Sequence, residues 1–341
     1  MPSRYAEARS ALANLVAILA TPRNVARYLG YAAMGTLVEL VWRSQVRSGD
    51  LTAELTDHFV SNGAMVVDVG ASWGLFSYHL ARLVGGAGTV LSYEPHPMNK
   101  LALEKLVRAR PNVRFRPAAV SDLTGIADLQ VPIFGSRHVT AQSSLAHGFD
   151  GQRGVRVEKV TVPTVRLDDE VGDRRVDLVK IDVEGHEMSV LRGASATLRK
   201  YLPTMLIEIE QRHLDCPIND VFAEIDDLGY VLYFIDGPVL RPIREFDLEK
   251  HQLSHVMQQV FTPFSMPEGY VHNFCAVASP DVLVGAAGFT ALAAIPSAAP
   301  DPRDGGPHSV LPVRGQAGDS VGQCCYGPCV RTPVIAWWRP L

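Results

Sequence analysis

The sequence predicts an α/β protein: a seven-stranded, mostly parallel sheet with helices on both faces and one β-hairpin insertion. Three observations carry this expectation. Apolar runs of strand length alternate with stretches of helical spacing, which is the pattern of a parallel sheet. The first run, AMVVDVG (64–70), passes straight into a glycine-spaced turn and a helix, as doubly wound sheets do. The alternation breaks once, over 122–168, where IADLQVPIF and VRVEKVTVPTV alternate in period two and predict a hairpin with TAQSSLAHGFDGQRG at its tip.

The elements follow in order. After the first strand, LFSYHLARLVG (75–85) is a helix, with Leu75, Tyr78, His79 and Arg82 at helical spacing. GTVLSYEP (88–95) is the second strand, and NKLALEKLVRARP (99–111) is a helix stopped by its proline. VRFRPAAV (113–120) is the third strand. Beyond the hairpin, VDLVKIDVEG (176–185) is a fourth parallel strand, and HEMSVLRGASATLRK (186–200) is its helix, with Met188, Leu191 and Leu198 on one side. TMLIEIE (204–210), the helix NDVFAEIDDLG (219–229) and YVLYFID (230–236) continue the alternation. YVHNFCAVAS (270–279) ends it, after a loop long enough to form a lid or a substrate wall.

Composition and the chain ends bound the function. The 341 residues are 47% apolar and suffice for one enzyme domain with appendages. A net charge of −4 provides no basic field for a phosphate backbone, so no nucleic-acid partner is expected. Cys216 and Cys275 stand singly in the folded part, which fits a reducing, cytoplasmic compartment. ALANLVAILA (11–20) imitates a signal peptide, but Pro22 and Arg23 follow without a small-x-small cleavage site. YLGYAAMGTLV (28–38) is far shorter than the roughly 20 apolar residues that span a bilayer. Both runs are expected to be amphipathic helices packed on the catalytic domain or a partner subunit, with peripheral membrane contact as the alternative. From about residue 285 the chain is rich in Ala, Gly and Pro and reads as a flexible tail. CCYGPC (324–329) with His308 lacks the paired knuckles of a zinc site. The expected organisation is an N-terminal helical extension (1–48), a catalytic domain (49–280) and a low-complexity tail (281–341).

The turn after the first strand selects the ligand. A nicotinamide dinucleotide asks for GxGxxG, so that the pyrophosphate can lie on the helix start; the chain has GASWG (70–74), with bulky Trp73 inside. No GKS or GKT is present for a P-loop. A nucleoside without phosphates remains, anchored by Glu94, 24 residues after Gly70 at the end of the second strand, whose carboxylate can accept from both ribose hydroxyls. Asp68, buried by its neighbours, orients the loop or meets an ammonium group through water.

KIDVEGHE ends the fourth strand beside the first. Asp182 and Glu184 are two apart, so in an extended segment they share a face. Two such carboxylates can position an acceptor hydroxyl, bind a metal or cap the helix that begins near Gly185. Glu187 reads as a helix-dipole partner, HEMSV lacks the second histidine of a zinc protease, and no metal ligands are assigned. Lys180 pairs with Asp182 or with Glu208 on the neighbouring strand. If an alcohol is the acceptor, the candidate bases, in falling order, are Asp182, Glu184, His186 and His213.

Taken together, VVDVGASWGLFSYHLA, TVLSYEPHPMNKLALEKLV, AAVSDLTGIADL, VPTVRLDDEV and VDLVKIDVEGHEMSVLRGA resemble the FkbM family of class I S-adenosylmethionine-dependent methyltransferases, over roughly residues 60–210 and more loosely to about 279. The resemblance implies a Rossmann-like fold, S-adenosylmethionine as cofactor and O-methylation of a small-molecule hydroxyl, on a glycoconjugate sugar or a polyketide-like product. It places Asp68, Gly70, Ala71 and Gly74 around the methionine part, Glu94 on the ribose, and Ser121 or Asp122 near the adenine. Trp73, in the same loop, departs from the smaller or aliphatic residue the family implies there. The rival expectations are a Rossmann-type oxidoreductase, which lacks its GxGxxG here, and a catalytically inactive S-adenosylmethionine-binding module.

Overall fold

The computed structural model describes residues 36, 38–43, 51–134, 137–138, 143–145, 155–256 and 269–286. The tail cysteines, the zinc question at CCYGPC, the two N-terminal apolar runs as wholes and most of the expected hairpin tip lie outside these residues. Among them, no helix is long and apolar enough to cross a membrane.

The main sheet is built from β1 (Met65–Val69), β2 (Thr89–Tyr93), β3 (Val113–Arg116), β8 (Leu178–Ile181), β9 (Thr204–Glu208), β10 (Val231–Asp236), β11 (Val239–Pro242) and β12 (Asn273–Val277). Their order is β11-β10-β12-β9-β8-β1-β2-β3. The run from β9 to β3 is parallel, while β12, β10 and β11 are antiparallel. The sheet therefore has eight strands where seven are expected. The addition is β11, which returns beside β10 across the turn at Gly237 and occupies the start of what reads as a loop.

Period-two alternation assigns each core strand residue to a face. Val67, Val179 and Ile207 meet α5 (Glu187–Gly193), α6 (Ser195–Tyr201) and α7 (Ile218–Asp227) through Leu191, Leu198 and Ile225. Val66, Leu178 and Leu206 face the other way, onto Leu55 of α1 (Leu51–Phe59), Leu80 of α2 (Leu75–Leu83) and Leu103 of α3 (Pro97–Ala109). Asp68 and Lys180 sit opposite each other in β1 and β8, as a buried ionic pair within otherwise apolar strands.

Two expected elements divide. The third strand leaves the main sheet at Pro117, which has no N–H for a ladder, and resumes as β4 (Ala119–Val120). β4 joins a second sheet of order β4-β7-β5-β6, with β5 (Gly125–Phe134), β6 (Arg137–His138) and β7 (Val155–Val165). The β5–β7 pair is the expected hairpin, in register from Gly125 opposite Thr164 to Phe134 opposite Val155. The helix over 186–200 breaks at Ala194 into α5 and α6. The short α4 (Leu167–Val171), which has no counterpart in the expected order, fills the β7–β8 connection.

Of the N-terminal extension, residues 38–43 are helical, and Trp42 is buried with its ring stacked on His79 at 3.7 Å and edge-on to Phe76.

Candidate active site

Strand order reverses between β1 and β8, and ligands of open parallel sheets sit beyond the strand ends at such a point. A cavity of about 190 Å³ lies there. The ends of β1, β2, β8 and β9 reach it through Gly70, Glu94, Asp182 and Glu208, and Leu129 and Leu145 of the insertion close one side.

The first turn is shaped by contacts within the protein. Gly70 has φ +80°, and a Cβ there would stand 1.8 Å from the carbonyl oxygen of Asp182, so the β1 and β8 ends can meet only at a glycine. The amides of Gly70 and Ala71 both donate to the Tyr93 carbonyl at 2.9 Å. Gly74, φ +96°, leaves room for Leu106 and Leu103 of α3, since an added Cβ would lie 2.9 Å from the Leu106 side chain. Of the expected loop residues, Gly70 lines the cavity; Ala71 is core, and Trp73 and Gly74 do not line it.

Asp68 also sits behind the cavity wall. It is fully buried, accepts from Ser77 Oγ at 2.6 Å, and through that hydroxyl reaches Ser92 Oγ, which ties β1, α2 and β2 together. Burial holds its carboxyl above the usual range, against the opposing charge of Lys180. Its effect on a ligand therefore passes through the loop.

Glu94 is buried yet open to the cavity. Its Oε2 accepts from the amide of Ser72, a residue held at φ +49°, and its Oε1 accepts from the amide of His96. A carboxylate offers about four lone-pair sites, so beyond these amides and the Asn99 side chain there is still room for a hydroxyl donor. Burial raises its pKa to about 7, with the His96 amide, the Asn99 side chain and the Ser72 amide pulling the other way.

The β8 and β9 ends carry Asp182, Glu184, Glu208 and Glu210. β8 stops at Ile181 and Glu184 turns to φ +53°, so the expectation that Asp182 and Glu184 share a strand face does not hold. Asp182 turns back to Lys180 at 2.9 Å, one of the two expected partners, and Lys180 is also 3.9 Å from Asp68. Burial lowers the pKa of Lys180, but the carboxylates of Asp182 and Asp68 outweigh it and hold the ammonium above its ordinary value. Glu184 Oε2 lies 3.2 Å from His213 Nδ1, and its carbonyl accepts from Ser144 Oγ at 2.5 Å. Burial and the charges of Asp182 and Glu210 push Glu184 well above the usual carboxylate range. Glu208 is raised likewise, by burial and by Asp182 and Glu184.

Glu210 is the exception. Arg212 grips it through both oxygens at 2.8 and 2.9 Å, and Tyr270 donates to it, so its pKa is lowered in spite of burial. Ligand atoms of Glu184, Glu210 and His213 lie within 4.8 Å of one another, a cluster that the sequence reading does not assign. Arg212, Tyr270 and His213 already satisfy Glu210, so the cluster is internally compensated.

His186 lines the cavity, and its Nε2 meets Ser121 Oγ at 3.0 Å, while Ser121 donates to Asp122 at 3.0 Å. Ser121 and Asp122 thus stand behind His186 rather than on the cavity wall. Burial lowers the His186 pKa, so the neutral ring is favoured.

Residues 63–232 match the methyltransferase FkbM domain. The chain belongs to the FkbM methyltransferase family. No curated protein matches it. Among solved structures it is similar to an FkbM methyltransferase from Methylobacillus flagellatus, with 16% identity, 63% of this chain and 44% of that chain covered, and a TM-score of 0.40. The match thus spans less than half of that M. flagellatus protein. It is also similar to a SAM-dependent methyltransferase from Aquifex aeolicus (13% identity, 72% and 98% covered, TM-score 0.34) and to Aeropyrum pernix fibrillarin with bound S-adenosyl-L-methionine (14% identity, 64% and 68% covered, TM-score 0.34).

Every residue that lines the cavity at the switch point falls within the FkbM domain. Sequence reasoning did not assign Ser72 or Glu208 to the site, and it expects a pocket wall from the 134–154 loop without singling out Ser143 or Leu145. A signal existed for Glu208: LIEIE repeats, one strand over, the two-residue carboxylate spacing of IDVEG. Nothing local marks Ser143 or Leu145, which reach the cavity because Ser144 pairs with Gln130 of β5 and bonds Glu184.

Proposed function

We propose that this chain is an S-adenosylmethionine-dependent O-methyltransferase acting on a small-molecule hydroxyl, on a glycoconjugate sugar or a polyketide-like product. The observation that carries the reading is Glu94. It is a buried carboxylate at the end of β2 with lone-pair capacity left over, in one cavity with Asp182, Glu184 and Glu208. The donor set also suits a cation. Among the described residues, those three carboxylates and Glu210 stand against the fixed positive charges of Lys180 and Arg212, and the two least compensated, Glu184 and Glu208, have raised pKa values. A sulfonium brought into this field is favoured by charge.

In this reading Glu94 holds the ribose hydroxyls. Gly70 and Ser72 present backbone to the methionine end, with Asp68, Ala71, Trp73 and Gly74 setting the loop, and His186 with Ser121 and Asp122 behind it bounds the adenine side. When bound, S-adenosylmethionine supplies a methyl group on an excellent leaving group, so alignment accounts for much of the rate. Asp182 and Glu184 orient the acceptor hydroxyl and take its proton; the raised pKa of Glu184 makes it a stronger base than an ordinary carboxylate. The chain is placed in the cytoplasm, with a small-molecule substrate and no nucleic-acid partner.

Calorimetric titration with S-adenosylmethionine and with NAD tests the reading. Binding of the first and not the second is expected; NAD binding instead would point to an oxidoreductase. A screen of hydroxyl acceptors with labelled methyl donor then separates an enzyme from an inactive binding module.

A further inference from the structure

A second cavity of about 200 Å³ opens on the opposite side of the same strand ends, between β8, β9, α1, α2 and β12. Asp182 and Glu208 line both cavities and form the partition between them. The remaining polar wall consists of Lys180, Thr52, His272 and Asn273, over an apolar floor of Phe76 and Leu206. Thr52, His272 and Asn273 lie outside the matched span 63–232, whereas the first cavity is built wholly within it. A ligand common to the family belongs in the cavity made by the common domain. A ligand particular to this chain belongs where the chain's own flanking segments supply the walls.

We propose that this second cavity is the acceptor subsite and that it takes a polyhydroxylated ring, a pyranose with neighbouring hydroxyls, which presents one hydroxyl at the partition of Asp182 and Glu208, toward Glu184 in the first cavity. The inference rests on the methyltransferase reading above. The wall carries donors, the Lys180 ammonium and the Asn273 amide, and acceptors, the carboxylates of Asp182 and Glu208 and the Thr52 hydroxyl. A ring of hydroxyls, each both donor and acceptor, satisfies such a wall. A polyketide-like surface with few hydroxyls matches fewer of these groups. Lys180 stands 4.6 Å from the Phe76 ring centroid and 2.9 Å from Asp182, so its ammonium is fixed at one corner of the subsite. Phe76 is braced from behind by Trp42.

The test uses the full chain saturated with S-adenosylhomocysteine and a fixed set of methyl glycopyranosides of glucose, galactose and mannose, read by saturation-transfer difference NMR. Asn273→Leu removes a polar contact at similar volume, and Thr52→Trp fills the cavity. Neither residue touches the first cavity, so S-adenosylmethionine affinity by calorimetry should stay within about twofold of wild type. At least one pyranoside is expected to bind wild type, and to bind each variant at least tenfold more weakly. If one variant misfolds, the other decides. A wild type that binds S-adenosylmethionine but none of the pyranosides overturns the assignment, and so does pyranoside binding that survives either folded variant. Failure to bind S-adenosylmethionine at all overturns the methyltransferase reading instead, so the two failures are distinct.

Discussion

Glu94→Gln separates the charge of the β2-end carboxylate from its shape. In the native chain both Glu94 oxygens accept backbone amides, from Ser72 and His96. Glutamine keeps one acceptor and turns an NH₂ toward the other amide, which leaves one backbone N–H unpaired at a cost of roughly 1–3 kcal/mol. The same change removes a carboxyl that burial has moved from 4.5 to about 7. At pH 8 keeping that group ionised costs the folded state about 3 kcal/mol, at 1.36 kcal/mol per pK unit. The two effects nearly cancel, so the variant is expected to fold with a urea midpoint close to wild type. Donor binding has no such compensation. Losing a charged acceptor for a ribose hydroxyl removes about 1.5–3 kcal/mol, or roughly 10- to 100-fold in affinity. Calorimetric titration with S-adenosylmethionine at pH 8, with urea unfolding as the control, reads both quantities. An affinity within about threefold of wild type in a folded variant refutes the role given to Glu94.

Other consequences are as direct. Glu94 must be ionised to accept both hydroxyls, so S-adenosylmethionine affinity should rise as pH increases through 7, while the contribution of Glu94 to stability, present below about pH 4.5, is lost over the same rise; a pH-flat Kd would contradict its raised pKa. Gly70→Ala forces a Cβ against the Asp182 carbonyl at φ +80° and should cost at least about 2 kcal/mol by urea unfolding, with loss of donor binding; wild-type stability would show that the β1 and β8 ends separate freely. Lys180→Met leaves Asp68 and Asp182 without their shared cation and should destabilise by about 3–5 kcal/mol, whereas an unchanged urea midpoint would mean that Asp68 is protonated in the native protein. Trp42→Ala removes the ring stacked on His79 and braced against Phe76, at about 3–5 kcal/mol; limited proteolysis should then cut near 38–43 faster, and an unchanged digestion pattern would remove Trp42 as an anchor.

Local pattern was enough for most of the fold and for the strand ends that meet at the cavity. The apolar run ending at Gly70, the carboxylate ending VLSYE and the IDVEG segment each signal their place because strand periodicity and turn chemistry act over a few neighbouring residues. The same pattern could not show that the strand at 113–120 would divide between two sheets, since both halves read as strand and only the partners differ. It also promised that Gly74 would face a ligand, whereas packing against Leu103 and Leu106 is what requires a glycine there.

The sequence by itself determined most of the order of strands and helices, the GASWG turn and the acidic strand ends. Only the tertiary structure decided how those charges are shared. It places Lys180 between Asp68 and Asp182, sets His213 beside Glu184, and turns Glu208 from a strand-end residue into the wall between two cavities. The physical reason is distance along the chain. Asp68 and Lys180 are brought together by the register of β1 on β8, and Thr52 and Asn273 meet across one cavity although they stand at opposite ends of the domain in sequence. No local propensity encodes such contacts; they exist once apolar burial has closed the sheet and carried the polar groups with it.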